Sequence, residues 1–151
     1  MSIRVQDAAF DMGAELNAFS QALADNGVKA GAIVSFCGVT RDVAEGDLDA
    51  MVIEHYPGMT EAALGDIRAQ AMARFSLAGA MIVHRYGRLA AGEIIMMVAT
   101  AAPHRADAFA GAEFLMDYLK SRAPFWKKEI TTRGESWVDA KDTDEAALKR
   151  W

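Results

Sequence analysis

The chain of 151 residues has one cysteine, Cys37, and three prolines, Pro57, Pro103 and Pro124. A lone thiol has no intrachain partner and cannot by itself build a thiolate metal site, so a disulfide-stapled secreted module is excluded. Long apolar runs are missing too. The segments GAIVSFCGV (31–39) and IIMMVATAA (94–102) fall far short of the roughly 20 residues of a membrane span and read as buried strands. The opening MSIRVQDAAFDMG lacks a basic start followed by an unbroken apolar stretch, and Asp7 and Asp11 interrupt early, so the expected location is the cytoplasm. Basic residues are in deficit, 16 against 21 acidic for a net charge of -5, which argues against nonspecific binding to nucleic acid. Any anionic ligand must be held by a local basic cluster.

Hydrophobic residues make up 52% and charged residues 25%, the composition of one globular domain spanning 1–151. Asp11 can cap a helix carrying Leu16, Phe19 and Leu23 at helical spacing, with Asn26-Gly27 as its left-handed stop. Strands are expected at 3–5, 30–39 and 48–56, the last stopped by Pro57-Gly58. Thr60 then caps a helix with Leu64, Ile67, Ala71 and Phe75 on one face. Strands at 80–86 and 94–100 are joined by a connection with glycine at both ends, which suits a hairpin. From Pro103 a third helix presents Phe109, Ala112, Met116 and Leu119 as its stripe and cannot pass far beyond Arg122 because of Pro124. A short hairpin, 128–132 with 136–138, and a last helical turn or tail from Asp142 complete the chain. Helices separated by strand pairs favour an α+β fold with a mixed or antiparallel sheet. No glycine-rich nucleotide loop and no GxSxG elbow is present.

Chemistry concentrates between Pro103 and Glu129. His104 and Arg105 stand at a helix N-terminus, where free N–H groups and the dipole favour an anion such as phosphate. Lys120, in the last turn, and Lys127, just after a proline break and beside Phe125 and Trp126, can converge on one pocket. An aromatic wall and a second cation would both lower a lysine pKa, giving an amine able to act as acid, base or nucleophile. Each has a plain alternative: terminal lysines complement the dipole, and Arg41 is a loop cation. His55 and His84 are satisfied core histidines, with no metal-site spacing around them, and Cys37 is a small buried hydrophobe. On these residues alone a Schiff-base lysine enzyme stays open.

Phe36-Cys37-Gly38-Val39-Thr40-Arg41, Glu54-His55-Tyr56-Pro57-Gly58-Met59, His84-Arg85-Tyr86-Gly87 and the stretch from Pro103-His104-Arg105 to Arg122-Ala123-Pro124-Phe125-Trp126-Lys127-Lys128-Glu129 resemble the large, catalytic subunits of molybdopterin synthase. The resemblance runs from the first strand to Lys149-Arg150-Trp151. It implies an α/β hammerhead-like mixed sheet with helices and a small antiparallel β subdomain. It implies a sulfurtransferase that converts cyclic pyranopterin monophosphate into the molybdopterin dithiolene, with neither metal nor cofactor. The sulfur donor would be a ubiquitin-like small subunit bearing a C-terminal Gly-Gly thiocarboxylate, in a heterotetramer built on a central dimer of large subunits.

By motif, Lys120 ends the Met116-Asp117-Tyr118-Leu119-Lys120 segment and Lys127 is the first lysine after Phe125-Trp126; the resemblance makes both catalytic. It places Arg41, His104 and Arg105 around the pterin phosphate, part of the pocket coming from the other large subunit. The family often has a hydroxyl residue before the His-Arg pair; here Ala101-Ala102-Pro103 stands there, leaving backbone donors to substitute. A noncatalytic scaffold that binds the partner's tail is the alternative from another class, and it has no chemical need for all five residues.

Overall fold

Asp11, Gly27, Gly58 and Pro124 punctuate the chain, and the elements fall between them. In a computed structural model describing residues 3–139 and 141–151, the order is β1 (Ile3–Gln6), α1 (Met12–Asp25), β2 (Ala32–Val39), β3 (Leu48–His55), α2 (Met59–Arg74), β4 (Gly79–Arg85), β5 (Gly87–Leu89), β6 (Ile94–Ala102), α3 (Arg105–Ser121), β7 (Phe125–Thr131), β8 (Gly134–Trp137) and α4 (Asp142–Ala147), closed by a 3-10 turn at Leu148–Arg150. The strands form a mixed sheet of order β1-β4-β6-β2 and a second sheet of order β5-β3-β7-β8. In the first, β1 runs parallel to β4 while β4–β6 and β6–β2 are antiparallel; the second is antiparallel throughout. The class is α+β, as the spacing of helices and strand pairs requires.

The central strands β4 and β6 are buried on both faces. One face packs on α2 and α3 through Leu64, Ile67, Ile82, Val98, Phe114 and Leu115. The other lies under α1, where Met81, Val83, Met97 and Ala99 meet Phe10, Leu16 and Phe19. Each fully buried Leu, Ile, Val, Met or Phe among them contributes about 1.5–3 kcal/mol, and the two-sided burial explains why these strands read as continuous apolar runs.

At α1 the Asp11 carboxylate accepts the Ala14 N–H at 2.8 Å, and Gly27 takes φ +69, the left-handed stop its position predicts. Four expectations need correction. Helix α2 is capped two residues earlier than expected, with Gly58 at φ +84 as its N-cap and the Glu61 carboxylate accepting the Gly58 N–H at 2.6 Å. Thr60 is instead buried and accepts the Tyr56 N–H at 3.1 Å. In α3 the buried stripe is Ala108, Gly111, Ala112, Phe114 and Leu115, while Phe109 is 62% exposed. Small residues win that face because the helix lies so close to Leu77 that a Cβ at Gly111 would sit 2.8 Å from it.

The connection from Gly87 is not a plain hairpin. Residues Gly87–Leu89 cross to the second sheet and pair with β3, Met51 opposite Leu89 and Ile53 opposite Gly87. Finally, β2 is not a buried strand but the edge of the mixed sheet, with Ile33, Phe36 and Val39 exposed. Beyond Thr132 the chain turns at Gly134 and ends in α4 and Trp151. The indole donates to Asp117 Oδ2 at 2.7 Å and meets Phe75 and Phe114 edge-on, anchoring the tail to α3.

Candidate active site

The break at Pro124 sends the chain from the end of α3 directly into β7, so Lys120 and Lys127 are carried on two elements that meet at a corner. Lys127 lies opposite Ile53 of β3, and Phe125 opposite His55. Alternate residues of a strand share a face, so Phe125 and Lys127 project together, and Lys128 projects the other way. Phe125 stacks on His84 of β4, ring centroids 3.7 Å apart and 15° between planes. Lys128 turns to Glu135 at 3.3 Å.

His84 is 5% exposed and its Nδ1–H donates to the Arg85 carbonyl at 2.7 Å, leaving Nε2 as an acceptor. Burial is the main reason its pKa falls from 6.5 to about 3; the bond to Arg85 opposes the shift, and the charges of Lys127, His55 and Lys120 add to it. The imidazole is therefore a neutral dipole beside two cations. Lys127 falls from 10.5 to about 8, chiefly through burial and then through the charge of Lys120, with Asp144 of α4 opposing the shift. At pH 7.5 such a group is a free amine about a quarter of the time, where an ordinary lysine is so about a thousandth of the time. Lys120 itself is exposed.

Arg41 is exposed just beyond β2, held there by the Thr40 N–H to Glu93 O bond of 2.8 Å and the Gly92 N–H to Thr40 O bond of 2.7 Å. Gly38 pairs with Met96 and Met96 with His84, so Arg41 lies at the same end of the mixed sheet as the lysine corner. His104 and Arg105 do not. They follow the last residue of β6, where Ala102 pairs with Ala32, and both are exposed. The 17 residues of α3 span about 25 Å, so within one chain this pair sits a full helix length from Lys120. One end of the fold thus holds Lys120, Lys127 and Arg41, and the other holds His104 and Arg105.

His55 departs from expectation. Half-buried beside Tyr86, with ring centroids 4.3 Å apart, it leaves Nδ1 buried without a partner. Cys37 is half-buried and burial raises its thiol pKa, so it is a poor thiolate. Among the described residues no three His, Cys, Asp or Glu side chains gather as a metal site.

The sequence pattern of the MoaE protein family matches residues 5–122. The chain belongs to the MoaE family. A molybdopterin synthase catalytic subunit from Cereibacter sphaeroides is 59% identical to it over 151 residues, 100% of both chains. A molybdopterin biosynthesis MoaE protein from Burkholderia ambifaria has a solved structure that superposes with a TM-score of 0.82 at 53% identity, covering 99% of this chain and 97% of that one. A complex of subunits 1 and 2 of molybdopterin-converting factor from Helicobacter pylori shares the fold, with a TM-score of 0.76 at 17% identity over 94% and 92% of the two chains. Membership places the chain among the catalytic subunits of molybdopterin synthase, in molybdenum cofactor biosynthesis.

In this MoaE chain the part that sequence reasoning missed is the His84–Phe125 stack that walls the lysine corner. His84-Arg85-Tyr86-Gly87 was legible as a motif. Its meeting with Phe125 depends on two sheets crossing, which no spacing along the chain encodes.

Proposed function

We propose that this chain transfers sulfur from the C-terminal thiocarboxylate of a ubiquitin-like small subunit to cyclic pyranopterin monophosphate, building the molybdopterin dithiolene. The observation that carries this reading is the corner where Lys127, half-buried and titrating at about 8, lies within the field of Lys120 at the end of α3. Sulfur attack on a pterin side-chain carbon opens the cyclic phosphate, so negative charge grows on the departing phosphate oxygen and cations stabilise it. Hydrolysis of the resulting thioester-linked intermediate needs an acid and a base, and an amine poised near 8 serves as either. We assign Lys120 to the partner's C-terminus and Lys127 to the substrate, with Arg41 on its phosphate.

His104 and Arg105 complete that phosphate site from a second copy of the chain. The support is topological. β2 is an edge strand, paired with β6 on one side and with no described strand on the other, and Ile33, Phe36 and Val39 are exposed along it. An antiparallel two-fold pairing of β2 with its copy would bring the Arg41 end of one chain to the Gly31 end of the other, next to the copy's α3 start. Each α3 would then serve two sites, and the dimer of large subunits would carry one small subunit at each end. No described helix is long and apolar enough to cross a membrane, and the reading assigns the chemistry to the cytoplasm.

The test mixes purified chain, thiocarboxylated small subunit and cyclic pyranopterin monophosphate, and follows the oxidised dithiolene pterin by fluorescence. Wild type should form product, and Lys120→Ala should bind the small subunit yet form none. Binding without product from wild type would leave the scaffold reading instead.

A further inference from the structure

The outer face of the second sheet, away from the lysine corner, carries an unusual set of side chains. Tyr56, Trp126 and Trp137 are 55%, 43% and 54% exposed. Together with Glu54 and His55 they line a shallow open cleft of about 290 Å³. Trp126 lies opposite Glu54 across β7 and β3, and Tyr56 meets it edge-on at 4.8 Å. Exposed tryptophans so grouped are the composition of an interface centre, not of ordinary surface.

The charge of the occupant follows from two further facts. Glu54 is exposed and makes no ion pair among the described residues, so a carboxylate stands unneutralised at the rim. The indole of Trp137 already has a cation over it, Lys128 Nζ 5.4 Å from the ring centroid, in the geometry of a cation–π contact. Aromatic faces and a free carboxylate both attract positive charge, and both repel an anion such as the pterin phosphate.

We propose that this cleft receives a lysine or arginine side chain of the small protein partner, a docking point separate from the lysine corner. The inference rests on the function proposed above. Trp126 is the residue next to Lys127 and projects from the opposite face of β7, so a partner whose tail enters the corner can also lean its body on this face. A shallow cleft with one carboxylate suits a side chain presented by a folded protein better than a free small cation.

Calorimetric titration of the small subunit into wild type, Glu54→Gln and Trp137→Ala tests it. Glu54→Gln is isosteric and Trp137 sits on an edge strand exposed throughout, so neither threatens the core. Kd should rise about threefold for Glu54→Gln and about tenfold for Trp137→Ala, with turnover at saturating small subunit unchanged. Glu54→Gln should also weaken the salt dependence of binding. Unchanged Kd in both variants, with wild type binding and active, would overturn the docking point and leave the proposed function standing. Failure of wild type to bind the small subunit would overturn both. A change in self-association by sedimentation velocity, without a change in small-subunit affinity, would overturn the assignment in favour of a second copy of this chain.

Discussion

Replacing His84 by phenylalanine should flatten the acid limb of the stability curve. In the folded chain the imidazole titrates at about 3, against 6.5 when unfolded. Between those values the unfolded chain binds a proton that the folded chain refuses, so His84 leaves stability intact above pH 6.5 and removes it as pH falls toward 3. Each pH unit in that window is worth 1.36 kcal/mol. From pH 7.5 to pH 4.5 the loss attributable to this one ring is about 3 kcal/mol, a large part of an ordinary domain's stability. Asp47, held low by Arg133, and Glu145, held low by Arg122, also cause loss in acid, but they are common to both proteins and cancel in the comparison. A phenyl ring keeps the stack on Phe125 and loses only the bond to the Arg85 carbonyl, about 1 kcal/mol at neutral pH. Urea unfolding of both proteins at pH 7.5 and 4.5, at one protein concentration, gives four free energies. Wild type should fall by about 3 kcal/mol more than His84→Phe across that interval. Equal falls would refute the claim that His84 is held neutral by burial.

Three further outcomes follow from other parts of the fold. The rate of Lys127 acylation, followed by mass spectrometry against pH, should rise with a midpoint near 8, and Lys120→Met should move that midpoint upward because a repelling charge has gone; a wild-type midpoint at 10.5 would contradict the desolvated amine. Gly31→Ala should destabilise by about 1–3 kcal/mol in chemical denaturation, because its Cβ would lie 2.1 Å from the Pro103 carbonyl and must displace the start of α3; a change below about 0.5 kcal/mol would refute the close approach. Val39→Asp, on the exposed edge strand, should shift sedimentation toward the single chain while leaving the thermal midpoint within a few degrees; an unchanged sedimentation coefficient would exclude β2 as the contact between copies.

Much of the architecture was legible because local signals sufficed. Asp11 and Gly27 bound α1, and the apolar runs of β4 and β6 declared themselves as strands, whose central place the sheet order then shows. What failed did so for tertiary reasons. The sequence of β2 is as apolar as that of a core strand, yet no described strand pairs with its outer edge. Phe109 looked like a core residue by type, but α3 turns Ala108 and Gly111 inward, because the gap over Leu77 admits only small side chains. At the site, Lys120 and Lys127 were legible from the proline break between them. The distance of His104 and Arg105 from that corner was legible only in retrospect, since a helix of known length separates Arg105 from Lys120.

That length has a genetic consequence. If two chains share their sites as proposed, the His104–Arg105 part and the lysine part of each site belong to different polypeptides, since α3 reaches from one end of the sheet to the other. A chain with Lys120→Ala and a chain with His104→Ala are then each inert when paired with themselves. Expressed together they form hybrids in which one site draws both intact halves and the other draws neither, and random pairing returns about a quarter of normal turnover. Two loss-of-function alleles would complement each other within one oligomer.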